Sequence, residues 1–351
     1  MRLRLLATAA LAALALGATG CATQEADSST QEDGTGGTLV VYTSRKEDFV
    51  EPLLEKFTAD TGIEVEALYA DDKVVSRLKE EAVSPRADVI IGNDAGALEY
   101  LRLQEVLAPA GEIAGIDSID PAFRATDGSW FGLSARTRGF IYNKDLISEA
   151  EMPTSIEELA NPTWKGKFAI TRGGNGSMIA HISALRAEWG DERTEEWVKA
   201  VKANAGAITD GHGDIRKAVG AGEFPFGLVN NYYYHQQLAE PSDNNVGFIY
   251  PDQAEGQMGA FVNAAGVGLV AGGPNPDSAK AFAEWVLLPE NQREFSSASL
   301  EVPINPAIEA PESAAPIDSY RVSEMPLSEL GAVWEDTRSL IERAGLDLEL
   351  K

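Results

Sequence analysis

Short apolar runs alternate with longer amphipathic stretches along most of the chain. Thr38-Leu39-Val40-Val41-Tyr42 predicts a first strand, and Phe49, Leu53 and Phe57 then share one face of a helix. Thr61-Gly62 ends that helix at a glycine suited to a left-handed stop. Pro52 predicts a kinked or late-starting first turn. A second strand is predicted at 63–67, a helix at 74–83 and a buried third strand at 87–91. Strands alternating with helices predict a parallel sheet.

The same alternation resumes after a long extended run at 130–142. A strand is predicted at 168–170, a glycine loop at Gly173-Gly174-Asn175-Gly176, and helices near 177–187 and 192–203. The apolar strand Phe224 to Val229 follows and delivers Asn230-Asn231-Tyr232-Tyr233-Tyr234-His235 to its carboxyl end. The runs 259–263 and 266–270 form a return crossing, and a helix carries Ala279, Phe282 and Trp285. The expected fold is α/β, a two-lobed clamshell with a ligand cleft between its lobes. Residues 38–136 with 266–310 form the first lobe and residues 137–265 the second. Residues 311–351 carry further helical spacing (Leu327, Leu330, Trp334, Leu340, Ile341) and are expected to pack outside a lobe as a C-terminal extension.

The first residues follow another pattern. Arg2 and Arg4 precede an apolar run, Leu5 to Leu16, too short for a good membrane span, and small residues follow. Residues 1–20 therefore read as a secretory signal. Cys21, the single cysteine, follows Ala18-Thr19-Gly20, which resembles a bacterial lipobox and implies lipidation at Cys21. Residues 22–37 are a polar tether with nothing to bury. The expected location is the outer face of the cell membrane, and one cysteine excludes disulfides within the chain.

The chain has 351 residues and a formal charge of −26, and losing Arg2 and Arg4 with the signal takes this to −28. Such a sign argues against nucleic-acid binding, which draws on Lys and Arg for phosphate contacts. The three histidines and the single cysteine belong to no Gly-x-Ser-x-Gly elbow or His-Glu-x-x-His motif, so an enzyme is not expected.

Adjacent phenols at a strand end suit a hard trivalent cation, because the ion stabilises the phenolate form of a group whose pKa is normally ~10. The alternative is that Tyr232 to Tyr234 cover a sheet edge. Several landmarks in order resemble the ferric-ion-binding proteins of bacterial ABC importers. They include Thr61-Gly62-Ile63-Glu64-Val65, Pro85-Arg86-Ala87-Asp88-Val89, Ser134-x-Arg136-x-Arg138, Asn230-Asn231-Tyr232-Tyr233 and Pro303-Ile304-Asn305-Pro306, within residues 38–310. The resemblance implies Fe3+ held by Tyr232 and Tyr233, completed by the other lobe and by a synergistic anion such as carbonate, phosphate or citrate. It implies delivery to an ABC permease with its ATPase, by a protein most simply a monomer.

Two positions depart from the family pattern. The loop after the first strand holds Lys46 and Glu47 where relatives place His. Glu47 is either a hard oxygen ligand or part of a capping box with Ser44. Asn93-Asp94 stands where relatives carry a Glu, and Asp94 is either a metal ligand through water or a helix N-cap. Arg136 and Arg138 match the arginines beside the anion, or pair with acids. Ser177 opens a helix whose N–H groups favour an anion, and Asn230 is a further candidate for contact with the anion. His212 is an anion contact or a surface-loop histidine. The same fold holding a small organic or phosphorylated anion is the alternative function.

Overall fold

The computed structural model describes residues 37–70, 73–109, 111–311 and 314–350. The signal, Cys21 and nearly all of the tether lie outside the described residues.

Strand β1 (Thr38–Thr43) enters helix α1 (Glu47–Thr61), which buries the stripe Val50, Leu53, Leu54 and Phe57. Pro52 lies inside the helix, and Gly62 ends it at φ 73°, its N–H reaching the Thr58 carbonyl. Strand β2 (Glu64–Tyr69), helix α2 (Val74–Glu80), strand β3 (Val89–Gly92) and helix α3 (Ala95–Leu103) follow. Next come β4 (Trp130–Asn143), β5 (Phe168–Thr171), α4 (Gly176–Trp189), α5 (Asp191–Asn204) and β6 (Ala207–Thr209). Helix α6 (His212–Gly220), β7 (Phe226–Asn230), α7 (Asn231–Leu238) and β8 (Val246–Ile249) follow. The chain then runs through β9 (Val262–Leu269), α8 (Pro276–Val286), α9 (Pro289–Ser297), β10 (Val302–Pro303) and α10 (Glu329–Arg343).

Strand order is β2-β1-β3-β9-β4-β7-β5-β6, with β8 and β10 also on β4. The β1/β2, β1/β3, β5/β6 and β5/β7 pairs are parallel, as the alternation predicts, and every pairing of β4 is antiparallel. Strand β4, buried along its whole length, serves two sheets. Its first part pairs with β9, ending at Thr137 opposite Val262. From Arg138, opposite Asn230, it pairs with β7. On the first sheet's side, Phe57 meets Phe282 and Trp285 edge-on at 5.1 and 5.2 Å. On the second, Phe168 stacks on Phe226 at 5.4 Å. Each such ring, taken fully out of water, stabilises the fold by about 1.5–3 kcal/mol.

Helix α10 departs from its expected place outside a lobe. It packs between α3 of the first sheet's side and α4 of the second. Trp334 stacks on Tyr100 at 5.3 Å. On the opposite side Thr337 Oγ1 accepts from Ser183 Oγ at 2.8 Å and from Arg186 Nη1 at 2.9 Å. The buried stripe Leu330, Trp334, Thr337, Leu340 and Ile341 is wide enough to serve two neighbours, which the spacing alone did not reveal.

Candidate functional site

The handover in β4 positions the site. Arg138 stands opposite Asn230, the last residue of β7, and the chain turns there directly into α7. Tyr232 and Tyr233 thus lie in the first turn of a helix rather than at the end of a strand. Asn231 fixes that turn, its Oδ1 accepting from the Thr137 N–H at 3.0 Å. The two phenol rings lie 4.4 Å apart between centroids, and His212 meets Tyr233 edge-on at 5.0 Å. A helix N-terminus carries a partial positive charge and so favours phenolate there. Burial pushes the Tyr232 phenol well above its usual value, a neighbouring Tyr233 charge adds to that, and Arg136 opposes it.

Behind the tyrosines is a buried guanidinium without a carboxylate partner among the described residues. Arg138 Nη1 donates to His212 Nε2 and, at 3.3 Å, to Asn230 Oδ1. Its Nε and Nη2 are buried with no hydrogen-bond partner among the described residues. Burial pulls Arg138 down to about 9, while charge on Tyr232 and Tyr233 would raise it. His212 is buried rather than on the surface, and burial followed by the Arg138 charge holds it well below its usual pKa. A neutral His212 therefore accepts at Nε2 and carries its proton on Nδ1. From Asn230 the chain of contacts continues: Nδ2 donates to Ser177 Oγ at 3.2 Å, at the start of α4.

Arg136 is paired. Its Nη1 lies 3.3 Å from Glu301 Oε1 and 3.4 Å from Asn93 Oδ1. Arg45 Nη1 holds the other Glu301 oxygen at 3.1 Å, and the Ser134 hydroxyl donates to the same oxygen. Burial pushes Glu301 up, but the charges of Arg45 and Arg136 outweigh it and leave the carboxyl below its usual range. Two arginines on one carboxylate leave a net positive charge facing the tyrosines.

Glu47 is not brought to this place. It lines a separate groove with Glu51, Glu55, Glu64 and Tyr69, against β2. Nor does a capping box form. The N-cap of α1 is Lys46, and the Ser44 hydroxyl instead accepts from the Asn93 N–H at 3.0 Å. Asp94 is the N-cap of α3, its Oδ1 accepting from the Ala97 N–H at 2.7 Å and its Oδ2 from Asn263 Nδ2 at 2.9 Å. Among the described residues no three His, Cys, Asp or Glu side chains gather as a metal site, and Tyr232 and Tyr233 share the cleft lining with Asp94, Asp210 and Asp214.

The glycine loop has a further task. The Gly173 and Gly174 N–H groups donate to the Asp347 and Leu348 carbonyls at 2.9 and 3.1 Å. A Cβ on Gly174 would stand 2.2 Å from the Leu348 oxygen, so these glycines admit the C-terminal segment. Sequence reasoning missed Arg45 and Glu301, since in so acidic a chain one more Glu carries no signal. It also missed that Trp334 and Arg338 wall the cleft that the already-named Arg136, Ser177, His212, Tyr232 and Tyr233 line with Lys46. That cleft encloses about 590 Å³.

Residues 53–318 match the family model of bacterial extracellular solute-binding proteins. The chain belongs to this family. It is 32% identical to the Fe(3+)-binding periplasmic protein of Serratia marcescens over 71% of this chain and 73% of that protein. It is 29% identical to iron uptake protein A1 of Synechocystis sp., over 87% and 86% of the two chains. A Trichodesmium protein in complex with iron and citrate superposes with a TM-score of 0.77 at 29% identity, covering 89% of this chain and all of that one. Iron-bound HitA from Pseudomonas aeruginosa superposes at 0.81 with 27% identity, over 88% and 99%. The ferric-binding resemblance read from the sequence agrees with these relatives, and the fold is that of two-lobed periplasmic binding proteins. This solute-binding protein is a transport component rather than an enzyme.

Proposed function

We propose that the protein captures ferric iron outside the cytoplasmic membrane and hands it to an ABC permease. Tyr232 and Tyr233 supply phenolate ligands, and a small anion shares the site with the ion. The observation that carries this reading is the pair of phenols at the start of α7 in front of Arg138, a buried cation with two unpartnered nitrogen atoms. Phenolates formed on ion binding, and an anion beside them, would supply the negative charge that this guanidinium lacks. Asn230, Ser177 and His212 lie on the same contact chain and would orient the anion. Carbonate, phosphate and citrate all fit that role.

Residues 38–136 with 266–310 form one lobe and 137–265 the other in this reading; the change of partner between Thr137 and Arg138 of β4 supports the first boundary, whereas residues 262–265 of β9 still pair within the first sheet. Closure of the lobes on the ion would mark the loaded state for the permease. The run Ala18-Thr19-Gly20-Cys21 supports anchoring through a lipid on Cys21, and a clamshell delivering to a permease is most simply a monomer.

Titration of the purified protein with ferric citrate tests the function. A saturable visible tyrosinate-to-iron band is expected, and Tyr232→Phe with Tyr233→Phe abolishes it. A band that survives the double substitution would overturn the assignment.

A further inference from the structure

His181 is a buried titratable group that the ferric reading does not use. It lies in α4, fully out of water, and both of its ring nitrogens lack a hydrogen-bond partner among the described residues. Its surroundings are aromatic. The Phe261 ring is stacked on it at 5.8 Å, and the Trp197 ring meets it edge-on at 5.9 Å. The Trp197 N–H is already given to the Ile156 carbonyl at 2.9 Å. These two rings hold the imidazole in place without satisfying it.

Three observations set this ring beside Arg138. The Phe261 carbonyl accepts the Arg138 backbone N–H at 2.9 Å, so the residue stacked on His181 is also bonded to Arg138. Ser177 lies one turn before His181 and so on the same face of α4. It accepts from Asn230, whose Oδ1 accepts from Arg138. Burial holds His181 well below its usual pKa, and the Arg138 charge lowers it further. His181 is therefore neutral, and a neutral imidazole has one bare nitrogen that accepts.

Arg138 needs an acceptor of that kind. Its bonds to His212 and Asn230 both start from Nη1, while Nε and Nη2 stay unpartnered among the described residues. Contact at one corner does not fix the plane of a guanidinium fork; a second contact on the open edge does. Protein interiors meet such buried donors with polar side chains or with ordered water that has two to four polar partners.

Resting on the ferric reading above, we infer that His181 is a positioning residue for Arg138. One ordered water takes an N–H from the open edge of the guanidinium and donates to the bare nitrogen of His181. Arg138 is thereby held between two imidazoles, His212 directly and His181 through water, with its charge set behind Tyr232 and Tyr233. His181 itself touches neither the ion nor its anion.

The chain has three histidines, so nitrogen NMR of the purified, isotope-labelled protein separates the imidazoles, and His181→Gln assigns the signals it removes. In the iron-free protein the bare nitrogen of His181 is expected to shift when Arg138→Met removes the donor. Ferric titration then reads the consequence for the site. His181→Phe keeps a ring between Phe261 and Trp197 but removes the acceptor. It should bind ferric iron about fivefold more weakly, or about 1 kcal/mol, with thermal stability unchanged or raised. His181→Gln returns an acceptor and should restore most of the affinity. A His181 signal unmoved by Arg138→Met, or wild-type affinity in His181→Phe, would overturn the inference. Equal losses in the Phe and Gln variants would also overturn it and make His181 a packing residue. If His181→Phe fails to fold, the Arg138→Met comparison still decides. A wild-type protein without a ferric band would sink the ferric reading, and the iron-free spectra would judge the contact between His181 and Arg138 by themselves.

Discussion

Arg138 Nη1 donates to His212 Nε2 in the interior behind the tyrosines, and among the described residues no carboxylate pairs with it. A buried cation left in this state costs stability in the free protein, and an apolar replacement of similar volume often removes that cost. Arg138→Met is therefore expected to leave the ligand-free protein equally stable or stabilise it by about 1–2 kcal/mol. Ferric affinity should fall at least about tenfold, or about 1.4 kcal/mol. Thermal denaturation and chelator competition on one sample read both quantities. A less stable variant that binds iron normally would remove Arg138 from the site.

Ligand binding should also report on the phenols. Burial, reinforced by Tyr233, pushes Tyr232 well above its ordinary pKa, so the phenol is protonated at neutral pH in the free protein. Coordination replaces that proton. Binding of the ion should release about two protons, one per phenolate, and affinity should rise with pH. An unbuffered titration with a pH electrode measures the release. A coloured complex formed without proton release would place other ligands on the metal.

The two acidic candidates of the first lobe should separate by what they hold. Glu47→Ala lies in the groove beside β2 and should leave the ferric titration unchanged. Asp94→Ala removes the cap of α3 and the partner of Asn263, and should cost about 1–2 kcal/mol. The iron band should keep its position. A shifted or weakened band in Glu47→Ala would return that carboxylate to the metal.

How far the chain declares itself depends on whether a feature is local. Gly62, Leu53 and Phe57 on α1 and the alternating strands follow from short-range periodicity and stand where it predicts them, while Phe49 is only partly buried and Val50 and Leu54 complete the stripe. The pair Tyr232 and Tyr233 stood out through the run Asn230-Asn231-Tyr232-Tyr233 that resembles the ferric-binding proteins, whereas spacing alone left it open to covering a sheet edge. That they sit in a helical turn was not legible, because Asn230-Asn231 reads equally well as the end of a strand. Glu301 and Arg338 were illegible for another reason. Each reaches its place only when a distant segment folds back, Glu301 onto β4 and Arg338 between α3 and α4, and no spacing within the sequence records that.

Glu301 gives the sharpest stability test, since its carboxylate is buried between Arg45 and Arg136. Burial alone would raise its pKa, but the two guanidinium charges and the Ser134 hydroxyl outweigh it and hold it below the ordinary range. A folded-state pKa below the unfolded one contributes stability above the unfolded value, and that stability is lost as pH falls through the folded value. Glu301→Gln leaves two buried arginines without a counter-charge and should destabilise the protein at pH 7 by about 3–5 kcal/mol. The gap from wild type should narrow in acid, where the native carboxyl itself takes up a proton. Denaturant unfolding at pH 7 and near pH 3.5 distinguishes the cases. A penalty equal at both pH values would mean that the carboxyl acts through shape and hydrogen bonding, and that its charge contributes nothing to holding the arginines beneath the cleft.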